Sequence, residues 1–437
     1  MTPVSIRKPF GLWRSTSLVM GNMVGSGIFI LPSALAVYGS ISLIGWAFTA
    51  IGAIFLALVF ARLSRRFPET GGPYAFSNHA FGDFVGFQIA WSYWIANWVS
   101  NAAVAVAGVS FLSTFWPNLA SNPTYGFLAS LSSVWILTFI NASSLRSTGI
   151  LQVVTTVLKL VPLVLIAIVG VFYIDLNNFK PFIGEGKTAF AAINGAAALA
   201  LFGFMGLESA TIPAENVLKP EKTIPRATIL GTVLVAILYM WVTAVVIGIL
   251  SPQGTASSSA AFADVGRIIF GHWAAQFVAV SAAISCFGTL NGWIFLQGQV
   301  PLAAARDRLF PKPFAKVNKK GIPIFGLLIS SVLVSLLLMI NYEAGLIEQF
   351  RFIVNLTAFS ILLPYLYSSA ADLLFIINEQ NVSKSVLIKR GSIALAAFGY
   401  SFWTIAGVGQ EVVYLGSFLI FGGLPFYVWM KKSHLTA

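Results

Sequence analysis

Charge is what this chain has least of. Asp, Glu, Lys and Arg together supply 9% of its 437 residues, against 57% that are apolar. A water-soluble fold of this size would need far more charge to cover its surface, so lipid must be its solvent. Cysteine is rarer still. Cys286 stands alone in an apolar run, which excludes a disulfide framework and any C-x-x-C metal or redox motif. The three histidines, His79, His272 and His434, lie far apart and none is mid-span, so neither a metal-ligand spacing nor a nucleophile–base pair can be drawn from them. Nucleotide motifs fail as well. Gly184-Glu185-Gly186-Lys187-Thr188 ends like a phosphate-binding loop, but Pro181 stands where the motif's first glycine belongs. Gly25-Ser26-Gly27 runs on to Ile30, where a dinucleotide fingerprint needs glycine. The expectation is a chain without metal or cofactor that is not an enzyme.

Long apolar runs, by contrast, recur throughout. About twelve reach or approach the roughly 20 residues that cross a bilayer: 12–37, 41–61, 84–112, 125–140, 153–174, 190–214, 227–250, 273–304, 324–340, 352–377, 393–408 and 412–430. Short polar links join them, and no domain linker or low-complexity tract intervenes, so residues 1–437 read as one all-α membrane domain. Basic residues resist translocation and therefore mark the cytoplasmic links. If the N-terminus is cytoplasmic, the outer links carry only Lys180, Lys187, Arg267 and Arg351, and Lys159 lies inside a span. All the rest of the 26 basic residues fall on inner links or at the inner termini. Both termini are thus expected in the cytoplasm and the protein in the plasma or inner membrane. The net charge of +12 is explained by orientation and contact with lipid, not by nucleic acid.

A helix in lipid should not be interrupted unless the loosened backbone lines a cavity, because free N–H and C=O groups are costly in hydrocarbon. The first span carries Gly21-Asn22-Met23-Val24-Gly25-Ser26-Gly27 at mid-depth, followed by Pro32. The sixth carries Gly203-Phe204-Met205-Gly206, followed by Glu208 and Pro213. Small residues of this kind also let helices pack closely. Two such clusters at the same ordinal place in successive groups of five, however, mark an inverted-repeat secondary transporter, whose half-helix N-termini point at anions while free carbonyls take cations. The repeats would be 12–174 and 190–377, with 393–430 as two added helices.

The motifs Gly21 to Phe29, Gly71-Gly72-Pro73-Tyr74-Ala75, Tyr93-Trp94-Ile95-Ala96 with Asn101, Gly206-Leu207-Glu208-Ser209-Ala210, Gly292-Trp293, Leu309-Phe310-Pro311 and Pro364-Tyr365-Leu366-Tyr367 run from the first span to the tenth. In them the sequence resembles the amino acid, polyamine and organocation transporter superfamily, and within it the bacterial basic amino acid and polyamine antiporters. The resemblance implies a leucine-transporter-like fold of five-plus-five inverted helices, broken at the first and sixth, and a homodimer. It implies a substrate carboxylate at the amides of Ser26, Gly27 and Ile28, beside Asn22 and Gly25, with the α-amino group at carbonyls near Met23, Phe202 and Met205. Side-chain selectivity would fall to Ala96, Asn97, Asn101, Phe202, Trp293 and Thr357. Gating and proton coupling would fall to Glu208, with Tyr93, Trp293 and Tyr365. The branch of the family that exchanges arginine for agmatine has tryptophan and cysteine at the positions of Phe202 and Asn97, so a different substrate pair is expected here.

Two charged residues can be read without the resemblance. Glu208 is the only acid near the centre of a span, which makes it a candidate for proton coupling or cation binding. Lys159 lies too deep in the fifth span to reach an interface and must find carbonyls, a carboxylate or water. Beyond that, transporters of the superfamily that the sequence resembles include some with a lysine beside the broken first helix, and that resemblance implies that Lys159 replaces a bound sodium ion, touching carbonyls near Gly21 and Val24, and carries a coupled proton. Asp372, in the inner half of the tenth span, is assigned no role beyond packing. The expected function is secondary active transport of an amino acid or polyamine, by exchange or by proton symport. A channel would show a ring or filter repeat, and a membrane enzyme a catalytic cluster at one interface; neither pattern is present in the sequence.

Overall fold

The computed structural model describes residues 10–258, 260–340, 346–379, 383–407 and 410–435, with backbone alone for 346–358, 406–407, 411–412 and 433–435. Apart from one isolated bridge between Phe10 and Val217, the described residues form helices and turns only. The first half comprises α1 (Leu12–Met23), α2 (Gly27–Ala36), α3 (Ser42–Arg66), α4 (Pro73–Phe81), α5 (Asp83–Leu112), α6 (Asn118–Ser121), α7 (Pro123–Ser143) and α8 (Leu145–Val169). The second comprises α9 (Ala189–Ala200), α10 (Pro220–Ser257), α11 (Ala261–Phe270), α12 (Trp273–Arg306), α13 (Ile324–Ile340), α14 (Leu346–Ile377), α15 (Lys384–Gly407), α16 (Gln410–Phe421) and α17 (Leu424–Leu435).

Within the described residues the apolar runs fall on these helices, except that the runs at 12–37 and 412–430 are each split between two helices and the runs at 153–174 and 190–214 pass from α8 and α9 into 3-10 turns. Nine spans among the described residues are long and apolar enough to cross a membrane, ten when α1 and α2, bent by 44° at their junction, count as one. The chain is a multi-pass membrane protein. Helix α13, at 17 residues, is shorter than a full span, and α15 opens with Lys384, Lys389 and Arg390, which keep its first turns at an interface.

Local chemistry sets the boundaries. Asn122 and Ser144 accept backbone N–H bonds at the starts of α7 and α8, and Thr188 does so for α9. Pro123 and Pro220 occupy first-turn positions where no N–H is needed. Ser251, with φ 64, kinks α10 just before Pro252.

Burial sorts the bundle. In the most apolar window of α12, 78% of residues are inside, against 22% for the last span, Val413–Lys432. Helices α5 and α12 therefore form the protein's axis, packed on each other, with α14 on α5 and α8 on α12. Helix α1 is wedged among α8, α10 and α12. That wedge places its broken end where the buried cation on α8 can reach it.

Candidate functional site: a cavity between two helix breaks

The first break begins where α1 stops at Met23. Val24 leaves helical geometry at φ −82, ψ 81, and α2 restarts at Gly27. A helix C-terminus leaves carbonyls without intrahelical donors, and those of α1 are met by side chains from three neighbours. The Lys159 ammonium on α8 donates to the Gly21 and Val24 carbonyls at 2.6 and 2.5 Å and to the Thr289 hydroxyl at 3.0 Å. Thr289 Oγ1 in turn lies 2.8 and 3.1 Å from the same two carbonyls. Ser285 Oγ reaches the carbonyls of Val24 and Gly25, and Tyr239 donates to that of Met23 at 2.8 Å. Lys159 is fully buried, and its positive charge sits at the negative end of the α1 dipole. Gly21 permits the approach of α8: a Cβ there would come within 2.0 Å of Gln152 Nε2.

At the start of α2 no side chain caps the helix. Its first amides have no intrahelical acceptor, so this end presents N–H groups and a partial positive charge.

The second break follows α9. Residues Leu201–Phe204 tighten into a 3-10 turn, Met205 is extended, and Gly206 adopts φ +103. Only glycine suits Gly206 on two counts, because a Cβ would also come 3.0 Å from the Cβ of Asn22. Beyond it the chain continues as the 3-10 turns Ser209–Thr211 and Ala214–Asn216 rather than as an α-helix. Glu208, fully buried, accepts hydrogen bonds from the phenols of Tyr93 on α5 and Tyr365 on α14, the latter at 2.6 Å. The Gly206 N–H donates to Tyr365 Oη at 3.1 Å, so backbone, tyrosine and carboxyl group form one chain of hydrogen bonds. The two breaks touch: Asn22 Nδ2 donates to Ser209 Oγ at 2.8 Å.

Between them lies a cavity of about 220 Å3. That is smaller than the roughly 300–1,000 Å3 of drug-sized pockets and suits a metabolite of amino-acid size. Asn22, Met23, Gly25, Ser26 and Gly27 line it from the first break, and Phe202 and Met205 from the second. Trp293 and Thr289 of α12, Ser100, Ala103 and Val104 of α5, Ile30 and Leu31 of α2, and Ile361 of α14 complete it. Tyr93 lies two turns before Ser100 on α5, about 10 Å along the axis. The Tyr93–Glu208–Tyr365 cluster is buried behind the cavity rather than lining it, and meets it through Trp293, whose ring is tilted against that of Tyr93 with centroids 6.4 Å apart.

Three side chains expected at the cavity are placed elsewhere. Ala96, Asn97 and Asn101 are buried and do not line it, and Asn101 donates instead to Gln297 across the α5–α12 contact at 2.7 Å. Asn97 is buried with neither amide atom bonded. The Ile28 side chain points into the core, leaving its backbone as the part near the break. Thr357 lies on α14 where its side chain is outside the described residues. The sequence reading missed Ser285, Thr289 and Tyr239. Thr289 had a signal, one helical turn before Trp293 on the same face of α12. Tyr239 had none: it is one of two aromatics, with Trp241, on its span, and nothing in the sequence says which neighbour its hydroxyl meets.

Interrupted helices, buried charges at the interruptions and a small cavity between them define a membrane transporter fold. The overall fold matches a crystal structure of a manganese transporter from Eremococcus coleocola, in complex with an aromatic bis-isothiourea substituted compound. The TM-score is 0.55 at 13% identity, over 99% of this chain and 98% of that one, a likeness of fold alone. Sequence goes further. Residues 10–430 match the model of the amino acid permease family. The chain is 36% identical to the cadaverine/lysine antiporter of Escherichia coli (strain K12), covering 99% of this chain and 96% of that protein. It is 32% identical to a putative arginine/ornithine antiporter of Bacillus subtilis (strain 168), over 98% of each. It is also 32% identical to the putrescine transporter PotE of E. coli (strain K12), over 95% of each. The chain belongs to the amino acid permease family and is a membrane transporter.

Proposed function

We propose that the protein exchanges a basic amino acid for its decarboxylated amine, or for another amino acid, by alternating access at the cavity between the two breaks. The observation that carries this reading is the juxtaposition of the uncapped start of α2 with the loosened backbone around Phe202 to Gly206, both lining one small hollow. The Ser26, Gly27 and Ile28 amides would hold a carboxylate, as helix N-termini hold anions. The carbonyls near Phe202 and Met205 would accept from the α-ammonium. The Met23 carbonyl is already taken by Tyr239, which moves that role toward the second break. The aromatic faces of Phe202 and Trp293 are the cavity's partners for a cationic side chain. Relatives named for lysine with cadaverine, arginine with ornithine, and putrescine support a substrate of this class.

In the same reading, 12–174 and 190–377 are inverted repeats within one domain, with their first helices broken. Both termini face the cytoplasm, the bilayer is the plasma or inner membrane, the protein works as a dimer, and it is a carrier, not an enzyme. Glu208 with Tyr93 and Tyr365 gates the cavity and senses protons.

Lys159 favours a second mode, proton-coupled uptake, because its ammonium occupies carbonyls that a bound sodium ion would otherwise take. Purified protein in liposomes loaded with lysine or cadaverine separates the modes. Exchange requires internal counter-substrate for uptake of labelled lysine; symport requires only an inward proton gradient. Failure of both, across the basic amino acids and their amines, would overturn the assignment.

A further inference from the structure

A second cavity, of about 730 Å3, opens where α3, α14 and α15 meet at one end of the bundle, far from the substrate hollow. Its chemistry is two-sided. Leu63, Phe375, Ile376, Val386 and Ile393 give it an apolar wall, while Arg62, Arg65, Arg66, Lys389 and Arg390 outnumber Asp372 and Glu379 at its polar rim.

The basic groups divide by what holds them. Arg62 is bound to Asp372 through two nitrogens, at 3.1 and 2.5 Å, joining α3 to α14. Arg390 of α15 is paired with Glu379 at 3.0 Å, and its carbonyl lies 3.5 Å from Arg62 Nη2. These pairs fix the frame and consume both acids. Arg66 lies over the Phe375 ring, 4.7 Å from its centroid, which orients the guanidinium, and it has no hydrogen-bonded acceptor among the described residues. Arg65 and Lys389 are exposed and have no acidic partner among the described residues. A pre-formed hollow thus carries three cations that hold no ion pair among the described residues, next to an apolar surface at the end of membrane-crossing helices.

We propose that this groove is a binding site for an anionic phospholipid, with its phosphate on Arg65, Arg66 and Lys389 and its acyl chains along the Phe375, Ile376 and Ile393 wall. A phosphate oxyanion accepts from several donors at once, and arginine's fork suits it. The apolar wall selects a lipid over a free anion. The site bridges three helices, so an occupied groove would fasten α15 to α3 and α14.

The test uses the full-length protein. Native mass spectrometry counts retained lipid after exchange into detergent micelles containing phosphatidylglycerol, phosphatidylcholine or inorganic phosphate. The comparison is between wild type, Arg65→Gln/Lys389→Gln, and Lys316→Gln/Lys319→Gln as a charge-matched control in another loop. Each basic residue at a membrane surface strengthens binding roughly fivefold, so the groove variant should lose phosphatidylglycerol affinity by about 25-fold. The control variant should keep it, and phosphatidylcholine should bind weakly to all three. Neither groove cation holds an ion pair among the described residues, so both variants should fold; a thermal melt in plain detergent checks this. If the groove variant melts early, Arg66→Gln, which leaves both ion pairs intact, replaces it with an expected loss of about fivefold. Equal loss in the control variant, unchanged retention in the groove variant, or competition by inorganic phosphate as effective as by the lipid would each overturn the proposal.

Discussion

The two breaks solve the same problem with opposite charges. At the first, a helix C-terminus buried in the membrane interior is met by the Lys159 ammonium and by the hydroxyls of Ser285, Thr289 and Tyr239. At the second, a loosened backbone is followed at once by a carboxyl group, which two tyrosines satisfy. The first break is therefore fixed by groups from α8, α10 and α12. The second is tied through Tyr93 and Tyr365 to α5 and α14, which also supply walls of the cavity. On the proposed function these become a rigid pole and a movable pole. The end at Ser26 that would hold a carboxylate is anchored by Lys159 on the far side of its own break, and the network at Glu208 is the part that would rearrange when a ligand enters or a proton leaves.

The largest expected effect is at the rigid pole. Lys159→Ala should abolish exchange and lower stability, because the Gly21 and Val24 carbonyls would lose their charged donor and keep only the Thr289 and Ser285 hydroxyls, at about 1.5–3 kcal/mol for each charge-assisted bond lost. Thermal melts alongside liposome uptake check this. Uptake at wild-type rate and pH dependence would break the comparison on that side.

At the movable pole, Glu208→Gln keeps the shape but exchanges one of the two acceptor oxygens for an NH2 donor, so one tyrosine must reverse its hydrogen bond, and it removes the titratable proton. Substrate affinity should stay within about fivefold, since one neutral hydrogen bond contributes about 1 kcal/mol net. The pH dependence of exchange should flatten. Uptake followed from pH 5 to 8 decides; an unchanged profile would assign proton sensing elsewhere.

The smallest effect is expected at a strap outside the spans. Tyr74 on α4 donates to Asp307 at 2.6 Å beyond the end of α12, close to the Arg306–Glu215 ion pair and the Gly71 N–H to Ile212 carbonyl bond. These contacts fasten the chain downstream of the second break to the loop before α4. Burial, then the Asp307 carboxylate, push the Tyr74 phenol well above its usual range. The proton is thus held more tightly in the folded state. The strap's contribution should be constant through neutral pH and fall only as pH rises past about 10, where an unfolded tyrosine ionises. Tyr74→Phe should cost about 1–3 kcal/mol, the worth of a hydrogen bond to a charged acceptor. It should leave substrate affinity unchanged, as melts and binding titrations would show.

How much of this was legible beforehand differs between the poles in the same way. The positions of both breaks were readable because glycine clusters inside apolar runs have few other uses in lipid. Lys159 was readable because a buried ammonium must find oxygen atoms, and the Gly21 and Val24 carbonyls are the ones it finds. What α5 contributes was not. Asn97 and Asn101 share a face one turn apart, and that spacing says which way they point relative to each other, not which neighbour they meet; Asn101 meets Gln297. Ser100, Ala103 and Val104 line the cavity instead, and nothing in their chemistry distinguishes them from any other small residue in a span. The 3-10 path after Gly206 was legible only in part: Pro213 signals that a resumed α-helix must end or kink, but nothing separates Ser209–Thr211 from a turn of α-helix.

The claim that everything else rests on is that substrate sits against the start of α2. Cysteine labelling measures it directly. In Ser26→Cys, the introduced thiol lines the cavity while the native Cys286 is fully buried, so a small maleimide should react at the new site alone. Saturating lysine, or whichever amino acid drives exchange, should slow that labelling at least fivefold, and amino acids that are not transported should leave it unchanged. Labelling that proceeds at full rate under concentrations saturating for transport would contradict the account, because the substrate would then be bound somewhere other than between the two breaks.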